Sequence, residues 1–132
     1  MAPSKALGRL KTHGELIADE RQDDGFREEW DRLAFARAVA VKVIEYRADH
    51  DLSQRQLAEQ LGLPQPQVAR LETGEHDPSQ KTLTRLAGSL GIEITISITG
   101  GDRQPTALTK RGRDNVVAEY ESNHSVVRYA VG

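Results

Sequence analysis

The chain has 132 residues, a length typical of one domain that is able to bury a hydrophobic core. It contains no Cys, which excludes disulfides and zinc sites built from thiolates. Its 18 Lys and Arg residues against 20 Asp and Glu residues give a formal net charge of -2, so no overall positive charge attracts nucleic acid.

Residues 1–30 are predicted to form an N-terminal extension that contains a helical segment. Residues 1–12 show no periodicity and residues 14–22 have the pattern of a short helix. Apolar side chains recur at helical spacing over residues 26–48, which predicts one long helix or two helices with a kink. The N-terminus lacks a charged-then-apolar secretion leader, and no apolar run reaches the roughly 20 residues of a membrane span. We therefore expect a cytoplasmic protein with no membrane partner.

Three short helices are predicted next, within a domain placed at residues 31–91. Ser53 and Gln56 have the spacing of a capping box, and Gly62 stands where a left-handed residue ends a helix. The predicted helices cover residues 53–60, residues 64–72 and a third segment capped by Ser79 and ended by Gly91.

The hydrophobic period then changes to that of a half-buried strand at residues 92–99. A single strand needs a neighbour for its hydrogen bonds. The neighbour is either the same strand of a second subunit or a late strand at residues 126–131. We favour the second subunit, which predicts a homodimer. Residues 100–132 are predicted to form a C-terminal tail, with most of residues 103–132 weakly ordered. The residues assigned to dimerisation are Ile92, Ile94, Ile96 and Ile98.

Residues 52–72 carry the most informative pattern, two short helices joined by a tight turn, which is the plan of a helix-turn-helix. Ala58 is small where the second helix must cross close by, and Gly62 permits the turn. The buried positions that fix the angle between the helices are Leu57, Leu61, Val68 and Leu71.

This region resembles the lambda-repressor-like helix-turn-helix domains of the XRE class. The resemblance covers roughly residues 36–91 and implies a mainly α, five-helix domain. In that class the third of the five helices, here the predicted helix at residues 64–72, enters the DNA major groove, and the protein usually binds as a dimer. With its flanks, the expected fold is a lambda-repressor-like bundle with an N-terminal helical extension and a C-terminal β-strand. Pro64 stands where the family commonly has Ser or Thr, which leaves open how the third helix is capped. The matching residues are Leu52, Ser53, Gln54, Leu57, Ala58, Leu61, Gly62, Gln65, Pro66, Val68, Arg70, Leu71, Glu72, Gly74, Pro78, Ser79, Thr82, Leu83, Leu86 and Ala87.

The flanks are similar to those of HigA-type antitoxins of bacterial toxin–antitoxin modules. The similarity rests on residues 24–30, which lead into the first helix, and on the strand after the last helix. It implies a repressor of its own operon that also binds a small toxin, often a RelE/HigB-like RNA-cleaving enzyme. Residues 1–30 contain seven acidic and five basic residues, which suits a basic partner, and we assign Phe26 and Trp30 to toxin binding. The alternative is a solvated helix that packs both rings on the core.

The resemblance places base-reading side chains on the third helix, at Gln65, Pro66, Gln67 and Arg70. Gln forms paired hydrogen bonds with adenine, and Arg with guanine. The alternative is a set of solvated polar side chains, with Arg70 in an ion pair with Glu75 or Asp77. The residues assigned to phosphate contacts are Gln54, Arg55, Thr73, Ser79 and Lys81.

Glu72 is predicted to be structural, because a carboxylate repels phosphate. The resemblance implies that this position pairs with a basic residue of the first helix, and Arg47 is the expected partner in a partly buried ion pair. The four His residues lie far apart in the sequence and no catalytic constellation stands out. We therefore expect no metal, no cofactor and no enzymatic activity.

Three functions are compatible with these patterns. The preferred one is a dimeric, sequence-specific repressor that binds double-stranded operator DNA and acts as an antitoxin. The second is a free-standing XRE-family regulator without a toxin, and a small basic open reading frame beside the gene would argue against it. The third is a protein-interaction module that no longer binds DNA. The balanced charge predicts modest DNA affinity for a single subunit and a shallow salt dependence.

Overall fold

Residues 24–132 are described by a computed structural model, with side chains from residue 29 onward. The predicted mainly α helix-turn-helix fold is confirmed. The predicted helix at residues 14–22 lies outside the described residues. In chain order the described residues form α1 (Asp24–His50), α2 (Gln54–Leu61), α3 (Gln65–Thr73), α4 (Gln80–Leu90), β1 (Ile94–Gly100), α5 (Lys110–Asp114), β2 (Val116–Ser122) and β3 (Ser125–Val131).

The apolar periodicity of residues 26–48 produces one unbroken helix, α1, rather than two helices with a kink. The helix ends where Asp51 takes a left-handed conformation with a φ of 52°. The N–H of Leu52 then bonds back to the carbonyl of Arg47 at 2.9 Å. Although α1 is long, neither it nor any other helix within residues 24–132 is apolar enough to cross a membrane.

The predicted capping box at the start of α2 is confirmed. The Ser53 hydroxyl accepts from the Gln56 N–H at 3.1 Å, and the Gln56 side chain accepts from the Ser53 N–H at 2.8 Å. Gly62 ends the helix with a φ of 69°, and a Cβ there would lie 2.8 Å from the guanidinium of Arg85. Arg85 donates to the carbonyls of Leu61, at 3.1 Å, and Gly62. It therefore ties α4 to the turn of the helix-turn-helix.

One hydrophobic core joins the helices to the sheet. Leu57, Val68 and Leu86, from α2, α3 and α4, have no exposed surface. Phe35 of α1 stacks on Tyr129 of β3, with ring centroids 4.7 Å apart. Each large apolar side chain buried in this way contributes about 1.5–3 kcal/mol, so the C-terminal sheet and the helical bundle stabilise one another.

The three strands form an antiparallel sheet in the order β1–β3–β2. Ile94 lies opposite Val131 and Ile96 opposite Tyr129, so the neighbour of the isoleucine strand is a strand of the same chain. This is the alternative that the sequence analysis did not favour. The other edge of β1 has no neighbour among the described strands, and dimerisation stays a prediction.

The prediction that most of residues 103–132 are weakly ordered is wrong. These residues contain α5, β2 and β3, and the late strand predicted at residues 126–131 is confirmed as part of β3. A tight turn joins β2 to β3, with a φ of 49° at Asn123 and 61° at His124. Two successive positive φ values suit the twist of a two-residue hairpin.

The isoleucine strand is displaced from its predicted bounds of residues 92–99. β1 covers Ile94–Gly100, and Ile92 lies before the strand, partly buried against the core. Glu93 and Gly132 exchange backbone hydrogen bonds, at 2.8 and 3.0 Å, directly before the first regular pair of the strand, Ile94 with Val131. Only two isoleucines of the predicted set are exposed, Ile96 at 46% and Ile98 at 71%.

Candidate nucleic-acid interface

The helix-turn-helix rests on an ion pair between α1 and α3. Arg47 donates to both carboxylate oxygens of Glu72, from Nε at 2.6 Å and from Nη2 at 2.8 Å. Its Nη1 also donates to the carbonyl of Leu52 at 3.0 Å. The Glu72 side chain is 9% exposed and that of Arg47 24%. The predicted ion pair is therefore confirmed, and it fixes α3 relative to α1.

The environment of Glu72 favours its charged form. Burial alone raises the pKa of Glu72, but the hydrogen bonds from Arg47 and Gln54 and the charge of Arg47 outweigh it, so the pKa lies below its ordinary value. The hydrogen bond to Glu72 likewise raises the pKa of Arg47. The carboxylate is thus ionised at neutral pH and accepts hydrogen bonds from two residues, Arg47 and Gln54.

A chain of hydrogen bonds runs from this ion pair to the start of α3. Gln54 Nε2 donates to Glu72 Oε1 at 3.1 Å, and Gln65 Nε2 donates to Gln54 Oε1 at 3.0 Å. Because an amide has distinct donor and acceptor ends, each bond orients the next side chain. The bond to Gln54 uses one N–H of Gln65, which leaves its oxygen and second N–H for a ligand.

One side of α3 is buried and the opposite side is exposed. Val68 and Leu71 lie in the core, with 0% and 8% of their surface exposed, as the spacing predicts. The predicted base-reading residues that lie on the exposed side are Gln65, Pro66 and Arg70.

Arg70 is not held by either of the acids considered for it. No ion pair within residues 29–132 involves Arg70 or Glu75, and Asp77 lies 3.9 Å from Arg32 instead. The guanidinium of Arg70 therefore remains an exposed cation with its donors unused by these acids.

Gln67 differs from the other three predicted base-reading residues, because its side chain is hydrogen-bonded to a residue of α4. Its Nε2 donates to Thr82 Oγ1 at 2.9 Å, and the Ser79 hydroxyl donates to the same oxygen at 3.1 Å. Thr82 is only 2% exposed. The amide of Gln67 thus helps to join α3 to α4.

The start of α3 has no side-chain cap. Pro64 is the N-cap residue and makes no side-chain hydrogen bond, while its carbonyl accepts from the N–H of Gln67 at 3.0 Å and of Val68 at 3.4 Å. A helix start normally leaves several backbone donors unpaired, but Pro64 and Pro66 have no N–H to leave. The prolines thus reduce the need for a cap.

Apart from Gln54, whose amide bonds to Glu72 and Gln65, the residues assigned to phosphate contacts are exposed cations and hydroxyls with local roles. Lys81 is exposed, and so is Arg55, which lies 3.7 Å from Glu59 on α2. The Thr73 hydroxyl donates to a carbonyl in its own helical turn at 2.7 Å. Ser79 caps α4 by accepting a backbone N–H, so both hydroxyls already have intramolecular partners.

A hollow of about 430 Å³ lies between α3 and the loop that leads to α4. It brings four of the predicted residues together, since its lining includes Pro66, Gln67, Arg70 and Ser79, and His76 from the loop. The hollow continues the exposed side of α3 toward the N-terminus of α4.

The residues assigned to toxin binding lie on α1. Trp30 is half-buried, and the guanidinium carbon of Arg37 lies 5.8 Å from its ring centroid. The side chain of Phe26 lies outside the described residues. Within residues 29–132 no group of three His, Asp or Glu side chains is placed to hold a metal ion.

Two positioning residues, Arg85 and Thr82, were given no role in the sequence analysis, although Thr82 is among the residues that match the XRE class. Thr82 stands three residues after the cap Ser79, and this spacing predicts a contact between the two. Nothing in the sequence predicts that Arg85 reaches the carbonyls of the turn 23 and 24 residues away, because that contact depends on the packing of α4.

Comparison with known proteins matches residues 43–96 to a family described as helix-turn-helix. A regulator of Methanocaldococcus jannaschii, named as an uncharacterized HTH-type transcriptional regulator, is 38% identical over 53 residues, which are 40% of this chain and 80% of that protein. The chain belongs to the helix-turn-helix family. A second protein of that name, from Haemophilus influenzae, is 34% identical over 79 residues, 59% of this chain and 81% of its own length. No solved structure matches the chain.

Helix-turn-helix regulators bind DNA by placing the second helix of the motif in the major groove. In this helix-turn-helix protein that helix is α3, and its exposed side carries Gln65, Pro66 and Arg70. The family match ends at residue 96, so most of the C-terminal sheet lies beyond it.

Proposed function

We propose that the protein is a sequence-specific, DNA-binding transcriptional repressor with α3 as its recognition helix. The observation that carries the proposal is the chain of hydrogen bonds from Arg47 through Glu72 and Gln54 to Gln65. It holds an exposed amide in one orientation before any ligand binds. A side chain ordered in advance loses little conformational freedom on binding, which favours a role in recognition over that of a solvated surface residue.

The chemistry of the exposed side suits base edges in the major groove. With one N–H bonded to Gln54, Gln65 still has an acceptor and a donor, which match N6 and N7 of adenine. The exposed guanidinium of Arg70 matches O6 and N7 of guanine, and each such pair discriminates against a wrong base by about 1–3 kcal/mol. The proposed reading set is thus small: Gln65 and Arg70, with Pro66 in apolar contact.

Charge sets the expected strength of binding. Residues 31–98 contain eight basic and nine acidic side chains, a sum of -1, so few contacts with phosphate are expected. Arg55 and Lys81 are the exposed cations assigned to that role. Because each neutralised phosphate steepens the salt dependence of binding, we expect a shallow dependence and a modest affinity for one subunit.

The test is a gel shift of the full chain on the DNA upstream of its own gene, after footprinting has located the bound site. Arg70→Ala is expected to weaken binding to that site about tenfold or more and to leave binding to random DNA nearly unchanged. Lys81→Ala is the matched control, with equal losses on both DNAs. Equal losses for Arg70→Ala would show that Arg70 contacts phosphate and would remove it from the reading set.

We further propose that the protein binds its operator as a homodimer, with one α3 in each half-site. The support is the predicted dimer of the XRE resemblance and the exposed Ile96 and Ile98. Half-sites are then expected about 34–36 Å apart, one turn of DNA, or a multiple of this. Footprints that show a single half-site at all protein concentrations would contradict the dimer and leave DNA binding intact.

The proposed cellular role is that of a HigA-type antitoxin, which represses its own operon and neutralises a RelE/HigB-like toxin. It is supported by the resemblance of the flanks and by the acidic balance of residues 1–30. Co-expression with the product of an adjacent small, basic reading frame is expected to restore growth and to give a stable complex. Trp30→Ala is expected to weaken that complex, with Arg55→Ala as the control. Failure of both rescue and co-purification would favour a free-standing regulator.

A further inference from the structure

β1 has an open edge whose direction is set by hydrogen bonds at its two ends. Glu93 and Gly132 exchange both backbone bonds, at 2.8 and 3.0 Å, and Gly101 donates to His124 at 3.0 Å. In an antiparallel pair such bonded positions alternate along the strand. The backbones of residues 95, 97 and 99 therefore face β3, whereas the N–H and C=O groups of the isoleucines between them face the open edge.

The isoleucine side chains lie on the side of the sheet that faces α1, but the helices cover them incompletely. Ile96 is opposite Tyr129 and Ile98 opposite Val127, and Tyr129 is stacked on Phe35 of α1. Along β1, exposure rises to 46% at Ile96 and 71% at Ile98. A hollow of about 600 Å³ between α4 and β1 adjoins them, and its lining includes Leu83, Ala87, Ile94 and Ile96.

The edge also lacks the features that normally keep edge strands apart. Proteins protect such edges with charged side chains, proline or bulges. The opposite edge of this sheet has two of these devices, since β2 carries Glu119 and Glu121 and an irregular register between Val116 and Ala118. β1 contains only Ile, Thr, Ser and Gly, and its pairing with β3 is regular over all seven residues.

We propose that two copies of the chain pair along the open edge of β1, antiparallel, with Ser97 on the two-fold axis. This inference rests on the proposed homodimer and specifies its interface. The edge-facing backbone of the isoleucines can bond only to edge-facing residues of the second copy, so Ile must lie opposite Ile or Gly. The same registers keep all isoleucines on one side of the sheet.

Of the registers that satisfy both conditions, the one centred on Ser97 overlaps the whole of β1 with its copy. Ile94 then lies opposite the partner's Gly100, and Ile96 opposite the partner's Ile98. Ile98, the most exposed isoleucine of each copy, is then covered by the second copy, beside the partner's hollow between α4 and β1. The two sheets become one six-stranded sheet, and no charge is buried in the new pairing.

The absence of Cys from the chain permits a direct test of this register by single-cysteine oxidation. In the proposed pairing Ser97 faces the partner's Ser97 in a non-hydrogen-bonded pair, where Cα atoms lie about 4.5 Å apart, within the range of a disulfide. Ser97→Cys in the full chain is expected to form a linked dimer in most molecules on mild oxidation. The control Thr95→Cys is expected to stay unlinked, because its partner copy lies about four residues away along the strand, or about 13 Å.

The outcomes separate the interface from the proposed function. Linking of Thr95→Cys with Ser97→Cys in a mixture, without linking of Ser97→Cys alone, would overturn the register. A monomeric wild type by analytical ultracentrifugation that still binds operator would overturn the interface and leave DNA binding intact. A linked Ser97→Cys dimer that binds no DNA would support the interface and contradict the repressor.

A second variant tests the same edge without a cysteine. Ile98→Lys places a charge next to the two-fold axis of the pairing and is expected to raise the dissociation constant of the dimer by at least about tenfold. Thr99→Lys, on the other side of the sheet, is the control and is expected to stay dimeric. Circular dichroism of both variants checks that the monomer still folds. A dimeric, folded Ile98→Lys would contradict the proposal.

Discussion

The exposed side of α3 and the open edge of β1 are opposite kinds of surface. On α3 the exposed side chains are polar or small, and the Arg47–Glu72 ion pair orients one of them, Gln65, through the amide of Gln54. On β1 the large exposed side chains are Ile96 and Ile98, and β3 is the hydrogen-bonded neighbour of this strand among the described residues. A polar, preordered surface suits a ligand read by hydrogen bonds, whereas an apolar edge with unused backbone groups suits another strand.

If both proposals hold, DNA and a second copy of the chain are recognised by separate elements, α3 and β1. Each surface has its own physical sensitivity: the α3 side depends on a buried charge and on tight backbone turns, and the β1 edge depends on apolar area. Changes at one surface are therefore expected to leave the other largely intact, and the following experiments examine that expectation.

The largest effect is expected from Glu72→Ala, which leaves Arg47 partly buried without its partner. The free energy of unfolding is expected to fall by about 3–5 kcal/mol, as for other broken buried ion pairs, measured by urea denaturation. Glu59→Ala, which removes an exposed ion pair with Arg55, is the control and is expected to change stability by less than about 1 kcal/mol. Similar losses in both variants would contradict the structural role of Glu72.

The next effect is expected at Gly74, which ends α3 with a φ of 66° and packs against α1. A Cβ there would lie 3.2 Å from the Cα of Arg37, so Gly74→Ala combines backbone strain with a close contact and is expected to cost about 2–3 kcal/mol. Gly91→Ala has a φ of 69° and nothing within 4 Å, and is expected to cost about 1–2 kcal/mol.

Gly88→Ala completes this series. It lies inside α4 with nothing within 4 Å, and is expected to stabilise the protein by about 0.5–1 kcal/mol. Thermal denaturation of the three variants measures the order. A loss at Gly91 as large as at Gly74 would show that the contact with α1 is not the cause.

A smaller effect is expected from pH. The pKa of Glu72 is lower in the folded chain than its ordinary value of 4.5, so ionised Glu72 contributes stability that is fully present above pH 4.5 and is lost as the pH falls through its folded pKa. The stability difference between wild type and Glu72→Gln is expected to shrink below pH 4.5. The difference between wild type and Ile98→Thr is expected to stay constant, because β1 has no ionisable side chain. A constant difference for Glu72→Gln would contradict the assignment.

The smallest effect on the monomer is expected from Ile98→Thr, since Ile98 is 71% exposed. At low protein concentration its Tm is expected to match that of wild type, within about 0.5 kcal/mol of stability. At high concentration the wild-type Tm is expected to rise by mass action and that of the variant to rise less. A Tm that is independent of concentration in both proteins would count against an apolar protein-binding edge.

The helix-turn-helix was largely predictable because its signals are local. The capping box of Ser53 and Gln56 and the left-handed Gly62 act within a few residues, and the structure has each of them. The pair of Arg47 with Glu72 spans 25 residues and was expected from the family resemblance rather than from spacing.

The C-terminal sheet was not predictable in the same way, because its pairing is not local. The backbones of Glu93 and Gly132 are hydrogen-bonded although they lie 39 positions apart in the chain, and no local sequence pattern in either segment indicates this pairing. The β2–β3 turn uses Asn123 and His124 with positive φ, where a glycine would have given a stronger turn signal. The bond between Gln67 and Thr82 was missed for a related reason, since it depends on how α4 packs on α3.

The position of β3 determines when the sheet can form during synthesis of the chain. β3 is the last of the three strands in the sequence but lies between the other two. During synthesis the segments of the helix-turn-helix emerge first, and domains generally fold from the N-terminal side as they appear. The segment of α3 therefore emerges while β1 still lacks its neighbour β3, and the edge of β1 is fixed in place only after β3 has emerged. The helix proposed to bind DNA is thus synthesised before the strand that completes the edge proposed to pair with a second copy.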